Sequence, residues 1–422
     1  MDPEKPPQPA SCMDDYDPQS LTIDEAIKRI QSAVTPLSEA EQLSINDALS
    51  RVLAEPVYSS INVPPYTNSA MDGYAIRGSD LPARGEKQLK LAGTVLAGKP
   101  LKRRFSAGEC ARIMTGAKLP EGTDTVIMQE HVTTTGTHIV IGSQHRAGQN
   151  VRHTGEDIAQ GQMVLAKGRR LTAADVGLLA SLGITAVNAV RPVRVAMFST
   201  GDELVALGTP LGEGQIYDSN RYALTALLQS FGADIMDLGV VKDEPRSIEA
   251  TFAAATQRAD AVITTGGVSV GDADYVKAIM EKLGNINFWK IAMKPGRPLA
   301  FGNIEQSLIF GLPGNPVSAM VTFYQFVLPA LRTLQGESAT EIITLQLPCV
   351  TPLRKMAGRV EFQRGIMEKN DSGEWIVKSA GGQGSHLLSS MSKANCFIIL
   401  PMECANVEPG TNVTVQPFCG LL

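Results

Sequence analysis

The sequence lacks an excess of positive charge and lacks the spacing patterns of metal-binding residues. Its 422 residues carry a formal net charge of -5, so we expect no general nucleic-acid binding. None of the six cysteines forms a CxxC pair, and the five histidines show no HxxxH spacing. These absences predict a reduced, cytoplasmic protein without a zinc site.

Signals for secretion and for membrane insertion are also missing. The first 20 residues are rich in proline and acidic side chains, without the basic and apolar regions of a signal peptide. This composition predicts a disordered leader over residues 1–20. No apolar run has the length expected of a membrane-spanning segment, so we predict no membrane association.

Hydrophobic periodicity changes several times along the rest of the chain. Two helical patterns occupy 21–54, the first with a capping box from Thr22 to Glu25, and a similar pattern recurs at 172–183. Short β-type runs separated by Gly and Pro turns lie between them. The predicted parts are a discontinuous helical and extended linker domain (21–54 and 151–190), an inserted β domain (55–150), a mainly parallel α/β domain (191–335) and a C-terminal β-barrel-like domain (341–422).

The α/β part is predicted from strict alternation of strand and helix patterns. Its strand candidates are "VRVAMFS", "ADIMDLGVV", "DAVITT", "FWKIAM" and "SLIFGL". Four loops at the ends of strands are rich in Gly or Pro: "STGDEL", "TTGGVSVGDAD", "KPGRP" and "LPGNP". Because such loops meet at one edge of a parallel sheet and let backbone N–H groups approach an anion, they predict a ligand crevice.

The loop "LPGNP" predicts an anion site at the start of a helix. Asn315 is a plausible N-cap, Pro316 occupies the first helical position, and Ser318 adds a hydroxyl two residues later. Lys290 and Lys294 are four residues apart, so an extended strand would place both on one face, roughly 13 Å apart at their backbones. Two cations could then engage two ends of a long anionic ligand.

Three carboxylates at or after strand ends are candidates to hold Mg²⁺ on phosphate oxygens: Glu203, Asp243 and Asp274. Each also has a structural interpretation, because an acidic residue in the first turn of a helix is stabilised by the helix dipole. Asp272 could likewise be an N-cap, and Lys290 a solvated strand residue.

Eight short strings follow one another in a distinctive order: "NSAMDGYA", "RIMTGAKLPEGTDTVIMQE", "RHTGEDI", "FSTGDEL", "QIYDSNRY", "TTGGVSVGDADY", "KPGRP" and "LPGNPVSA". Together they resemble the molybdopterin molybdenumtransferase family, which is related to the C-terminal part of gephyrin. The likeness runs from about Leu21 to the C-terminus. It implies an elongated four-domain homodimer in which 191–335 binds molybdopterin. The implied reaction splits adenylylated molybdopterin with Mg²⁺, ligates molybdate to the dithiolene, and releases molybdenum cofactor and AMP.

The resemblance also implies roles for individual residues. It places Glu203, Asp243 and Asp274 at the Mg²⁺ and pyrophosphate chemistry and makes Lys290 a ligand-binding residue. The implied molybdate-binding set is Lys294, Ser318, Arg364 and Ser385. Asp72, Thr115 and Asp157 resemble cleft positions, the first two reaching the cleft from the partner subunit, and Gly266 and Gly267 make room for the phosphates of the pterin ligand.

Two other functions remain open from the sequence. An ATP-dependent molybdopterin adenylyltransferase would use the same α/β part, and a non-catalytic scaffold would keep the fold to bind partners. The first needs only the α/β part, whereas this chain also has the β parts and their matching strings. The second is disfavoured because the expected acids and bases are present. A molybdopterin adenylyltransferase and acceptor apo-molybdoenzymes are possible partners.

Overall fold

The computed structural model describes residues 20–266, 275–339 and 341–419. The predicted leader therefore lies outside the described residues, apart from Ser20. The chain forms two compact units, which are considered separately. The first draws its described residues from Met1–Glu41, Ser50–Ala54 and Ala189–Leu422, and the second consists of Gln42–Leu49 and Glu55–Asn188.

The second unit is built around a six-stranded sheet, which we call the inserted sheet. In spatial order its strands are Thr125–Met128, Gly73–Ile76, Glu109–Ile113, Glu86–Val95, His138–Gly142 and Val132–Thr135. Two apolar clusters form on it, one including Val95, Ile113 and Val126 and the other including Leu89 and Ile139. The β character predicted for this part of the chain is confirmed.

Short elements complete the second unit. The strand pairs Asn68–Ser69 with Val151–Arg152 and Val57–Tyr58 with Met163–Leu165 are antiparallel. The predicted helix near 172–183 is Ala173–Ser181, and a full capping box between Thr172 and Asp175 begins it. Single turns of 3₁₀-helix are Ile45–Asp47, Gly78–Asp80 and Gln129–His131. Two further strands, Ala40–Ser44 and Ala186–Val190, have residues assigned to both units.

Of the two helices predicted in 21–54, one forms and the other does not. Ile23–Ala33 is helical, and the Thr22 hydroxyl accepts a hydrogen bond from the Glu25 N–H as predicted. The second prediction was wrong, since Ala40–Ser44 is a strand followed by the 3₁₀ turn. The Ile45 N–H donates to the Thr185 carbonyl at 3.1 Å, so a distant segment provides the backbone partner that a local helix would have supplied.

The first unit contains a six-stranded sheet that we call the central sheet. Its spatial order is Asp234–Val241, Arg194–Thr200, Ala261–Thr265, Ser307–Leu312, Pro298–Ile304 and Asn285–Lys290. The first four strands are parallel and the last two pairings are antiparallel. The α/β class is therefore confirmed, with carboxyl ends of the parallel strands at one edge.

One strand of the central sheet was not predicted. Pro298–Ile304 begins with proline and contains Gly302, two residues that are unfavourable in strands. Antiparallel neighbours on both sides nevertheless hold it in the sheet. The helices that follow its strands are Ser219–Phe231, Pro245–Thr256 and Tyr275–Leu283. Between the strand Arg194–Thr200 and the first of these helices, the chain forms the short parallel strands Leu204–Val205 and Ile216–Tyr217.

A long helical segment follows the strand Ser307–Leu312. It consists of Pro316–Thr322, a π-helical turn at Phe323–Val327, and Leu328–Leu334. At 19 residues, Pro316–Leu334 is long and apolar enough to cross a membrane by length and composition, contrary to the expectation from the sequence. However, 78% of its most apolar window is buried inside the fold, as in the core helix of a globular protein.

The rest of the first unit is a second six-stranded sheet, which we call the C-terminal sheet. Its order is Met293–Lys294, Val360–Lys369, Cys396–Leu400, Asn412–Pro417 and Leu345–Pro348, and Trp375–Ser379 pairs with Val360–Lys369. The predicted hairpin around "KNDSGE" is confirmed by antiparallel pairing of Lys369 with Trp375. A short helix, Leu388–Lys393, was not predicted. The multidomain α/β and β fold class is confirmed, while the predicted domain boundaries stay predictions.

Candidate active site

Three of the four Gly- or Pro-rich loops predicted to share a crevice do so, whereas the loop "KPGRP" does not line the cavity. A cavity of about 80 Å³ there is lined by Thr200, Glu203, Leu204, Ile216, Tyr217, Asp218, Ser219, Asn220, Thr265, Gly266, Gly314 and Pro316. Gly266 has φ +86°, and a Cβ on it would lie 2.6 Å from the Thr200 carbonyl oxygen. Only glycine fits this close backbone approach. Gly267 lies outside the described residues.

Acidic side chains gather on one side of the crevice. Glu203 lines the cavity, and its carboxylate folds back toward Gly201. Burial raises the pKa of Asp243 above its ordinary value, and the negative charges of Asp202 and Glu203 raise it further. The structure therefore brings two of the predicted metal-binding acids into electrostatic contact.

These acids suit Mg²⁺ by the chemistry of their oxygen donors. Mutual repulsion between Asp243 and its acidic neighbours would be relieved by a bound cation. Among the described residues, no three His, Cys, Asp or Glu side chains form a group able to hold a metal ion. The third predicted ligand, Asp274, lies outside that part of the chain, as does Asp272.

The expectation that Lys290 and Lys294 share one face of an extended strand was wrong. Lys290 ends a strand of the central sheet, whereas Met293–Lys294 belongs to the C-terminal sheet. Between them the chain turns tightly, and the Met293 N–H donates to the Ile291 carbonyl at 2.7 Å. A strand must pair along its length to stay extended, and these residues pair with two different sheets.

The helix that starts at Pro316 differs in one detail from the prediction. Asn315 occupies the N-cap position, but within the described residues its side chain makes no capping hydrogen bond. Instead the Val317 N–H donates to the carbonyl of Ser385 at 3.1 Å. Ser318 is buried on this first turn. Two of the predicted molybdate-binding residues are therefore brought together at the positive end of a helix.

Arg364 supports the loop that carries Ser385. Its side chain is 1% exposed and donates to the Gly382 and Gly384 carbonyls at 3.2 and 3.0 Å, and to the Ser390 hydroxyl at 3.2 Å. Burial lowers the pKa of Arg364 to about 10, which leaves it charged at neutral pH. All these hydrogen-bond acceptors are neutral, and the carboxylate that favours the charged form of Arg364 is Glu361.

Lys294 completes this group from the neighbouring loop. Its Nζ lies 3.4 Å from a carboxylate oxygen of Glu361, three residues before Arg364 on the same strand. A Cβ on Gly296, two residues after Lys294, would lie 3.5 Å from the Ser318 carbonyl oxygen. The loops of Lys294, Ser318, Arg364 and Ser385 therefore converge within the first unit.

Reasoning from the sequence missed three polar residues beside this group. Glu361, Gln363 and Lys355 are all 5% exposed or less. The Gln363 side-chain amide donates to Glu361 at 2.9 Å, and the Lys355 Nζ donates to three backbone carbonyls, the shortest bond being 2.8 Å to Cys404. Charged residues in an alternating strand normally indicate a solvent-facing side, so no signal in the sequence marked them as buried.

In the second unit the structure joins two predicted site residues. The N–H and the hydroxyl of Thr115 donate to the same oxygen of Asp72 at 2.7 and 2.8 Å. These bonds, the backbone one first, hold the pKa of Asp72 below its ordinary value. Asp157 is exposed, and its N–H donates to the Val63 carbonyl at 3.0 Å.

We predict that Thr115→Val raises the pKa of Asp72. The substitution removes the hydroxyl bond to the ionised carboxylate but keeps the backbone bond, so the pKa should move only part of the way toward its ordinary value. Carbon-13 NMR titration of the Asp72 carboxyl measures this shift. Thr133→Val, at an exposed position of the inserted sheet, is the control. An unchanged pKa in Thr115→Val would contradict the hydrogen bond.

Known protein families cover most of the chain in three consecutive matches. Residues 21–183 match the MoeA N-terminal region, domains I and II. Residues 196–333 match a probable molybdopterin binding domain, and 346–418 match the MoeA C-terminal region, domain IV.

Individual relatives agree with these matches. A Haemophilus influenzae molybdopterin molybdenumtransferase is 46% identical over 95% of this chain and 100% of its own length. Gephyrin from Dictyostelium discoideum is 35% identical over 93% of this chain and 61% of its own. The crystal structure of a molybdopterin biosynthesis MoeA protein from Pyrococcus horikoshii has a TM-score of 0.83 at 29% identity, covering 94% of this chain and 100% of that one. The chain belongs to the molybdopterin molybdenumtransferase family.

Proposed function

We propose that this chain is the transferase that inserts molybdenum in molybdenum cofactor biosynthesis. The substrates are adenylylated molybdopterin and molybdate, and the products are molybdenum cofactor and AMP. Cleavage breaks the phosphoanhydride between the pterin phosphate and AMP, and molybdate is ligated to the dithiolene of the pterin. The observation that carries the proposal is the convergence of Arg364, Ser385, Ser318 and Lys294 beside the acidic crevice of the central sheet.

The acidic crevice serves the phosphoanhydride. Glu203, Asp243 and Asp274 would hold Mg²⁺, which supplies charge neutralisation on the phosphate oxygens. The glycines of the strand-end loops let backbone N–H groups approach the same oxygens, which makes Gly266 and Gly267 substrate-binding positions. Lys290 adds a cation at the end of the edge strand of the same sheet.

The cationic group serves molybdate. A tetrahedral dianion needs hydrogen-bond donors and positive charge on several sides. Lys294 and Arg364 supply the charge, and the hydroxyls of Ser318 and Ser385 supply neutral donors. Arg364 is fixed by its bonds to the 382–384 backbone, so binding costs it little further side-chain entropy.

We further propose that the protein acts as a cytoplasmic homodimer. Exposed apolar side chains on the segment 207–222 support an interaction surface, namely Leu207, Leu211, Ile216, Tyr217 and Tyr222. In this proposal Asp72 and Thr115 reach the cleft of the partner subunit, with Asp157 as a further substrate-binding residue.

A molybdopterin adenylyltransferase and acceptor apo-molybdoenzymes are the proposed macromolecular partners, and the four domains inferred from the sequence are the proposed organisation.

The function is tested by incubating the purified protein with adenylylated molybdopterin, Mg²⁺ and molybdate and measuring AMP. We expect AMP release that requires the protein and falls to background when Mg²⁺ is chelated. No AMP above background would favour a non-catalytic scaffold. Formation of adenylylated molybdopterin from ATP and molybdopterin, without AMP release in the first assay, would favour an adenylyltransferase.

We predict that Asp243→Asn raises the Mg²⁺ concentration needed for half-maximal AMP release on the order of 10-fold, about 1.4 kcal/mol. The amide keeps the shape of the side chain but removes one negative charge from the proposed Mg²⁺ site. Asp234→Asn, an exposed acid at the start of the strand that precedes Asp243, is the matched control and should behave as wild type. An unchanged Mg²⁺ requirement in Asp243→Asn would remove Asp243 from the metal site.

The composite cleft is tested with mixed dimers. If Asp72 serves the partner's cleft, Asp72→Ala and Asp274→Ala homodimers should both be impaired, because every cleft lacks one group. In a mixed dimer both lesions fall into one cleft and the other is intact, so random remixing should make about a quarter of all clefts wild type. AMP release no higher than the parental average, with mixed dimers verified by mass, would contradict the shared cleft.

A further inference from the structure

A buried carboxylate lies at the centre of the cationic group. The Glu361 side chain is 7% exposed, and one of its oxygens lies 3.4 Å from the Lys294 Nζ. Its other oxygen accepts a hydrogen bond of 2.9 Å from Gln363, whose amide also donates to the Arg354 carbonyl at 3.0 Å. Glu361 is therefore held in one orientation, whereas Lys294, with 43% of its side chain exposed, ends at the surface of the site.

Backbone pairing fixes the relative positions of the two partners. Met293–Lys294 and Val360–Glu361 are parallel neighbours in the C-terminal sheet, and Lys294 is opposite Glu361 in the register. Laterally neighbouring residues of adjacent strands point to the same face of a sheet. The sheet register therefore places the two side chains next to each other on one face, so the ion pair follows from the backbone pairing.

Two further cations interact with Glu361. Lys355 is 5% exposed, and Glu361 is the first of the charges that favour its ionised form. Arg364 is 1% exposed, and Glu361 is the charge that favours its ionised form against burial. Glu403 also favours the ionised form of Lys355, so three cations face two carboxylates and the cations remain in excess. A net positive charge is costly in a buried place unless an anion binds there.

We propose that Glu361 is a positioning residue for oxyanion binding, which holds the ammonium of Lys294 in the orientation that a tetrahedral dianion requires. This inference rests on the proposed function, since it assigns Glu361 to the molybdate subsite. Glu361 makes no direct contact with the anion and acts through Lys294.

The physical basis is the flexibility of lysine. A free Lys side chain samples many rotamers, and part of that freedom is lost when the ammonium binds an anion. A fixed carboxylate beside Lys294 restricts the side chain before the anion arrives, so less entropy is lost on binding. An ordinary surface ion pair would have no such effect, because both partners would be mobile and solvated.

The test combines Glu361→Gln, Lys294→Met and the double variant in a thermodynamic cycle. Molybdate binding is measured by calorimetry without the pterin nucleotide, and the molybdate KM and kcat for AMP release are measured separately. Glu368→Gln is the matched control, since Glu368 lies on the same strand and pairs with Lys378 at 2.6 Å on the surface. Calorimetric affinity for adenylylated molybdopterin reports whether each variant keeps the folded crevice.

We expect Glu361→Gln to weaken molybdate binding and raise the molybdate KM on the order of 10-fold, as for other groups that orient a binding side chain. The kcat at saturating molybdate and the affinity for adenylylated molybdopterin should stay near wild type, and Glu368→Gln should change nothing. In the Lys294→Met background, Glu361→Gln should have no further effect, because the side chain through which it acts is gone.

Three results would overturn the inference. Glu361→Gln could weaken molybdate binding by the same factor in the wild-type and Lys294→Met backgrounds, which would mean that Glu361 has a structural role independent of Lys294. It could tighten molybdate binding, in which case Glu361 repels the anion instead of orienting its partner. The wild type could fail to bind molybdate at all. Coupled molybdate binding in a protein that releases no AMP would support the positioning role and reject the proposed reaction, so the two failures are distinguishable.

Discussion

Close backbone packing at the carboxyl ends of the parallel strands is the constraint on which the rest of the site depends. A Cβ on Gly266 would lie 2.6 Å from the Thr200 carbonyl oxygen, and one on Gly314 would lie 3.9 Å from the Gly266 Cα. The loop after Ala261–Thr265 can approach Thr200 this closely only because Gly266 has no side chain. Backbone atoms therefore form part of the crevice wall. Glu203 lines the crevice, and Asp243 interacts electrostatically with Glu203.

A second constraint joins this crevice to the C-terminal sheet. The chain leaves the central sheet after Lys290, turns, and enters the C-terminal sheet at Met293. Lys294 consequently follows a strand of the central sheet by only four residues, while its own backbone pairs with the strand of Arg364. An acidic region and a cationic region are thus built into one compact unit. In the proposed reaction the acids would hold Mg²⁺ and the cations would bind molybdate, and this arrangement keeps the two groups on different elements.

Local patterns predicted the elements whose partners are close in sequence or whose type is strongly marked. The helices at Ile23 and Ala173 begin at the capping residues that the sequence indicates, and four of the central strands follow apolar runs. Predictions failed where a distant segment decided the outcome. Ala40–Ser44 has helix-compatible residues, yet a neighbouring backbone group bonds to Thr185, and Pro298–Ile304 is held by a strand on each side.

The same distinction applies to the site. The family resemblance identified Lys294 and Arg364 as candidate site residues. The sequence does not predict that Arg364 is 1% exposed or that Glu361 lies beside Lys294. Glu361 and Gln363 are two residues apart on a strand, and this pattern predicts a solvent-exposed face because charged and amide side chains are usually exposed. Burying them becomes tolerable only when cations from Lys294, Lys355 and Arg364 surround the carboxylate, and those cations are separated from one another by up to seventy positions of sequence. The burial of Glu361 among these cations is therefore a property of the folded chain, which no local pattern of the sequence states.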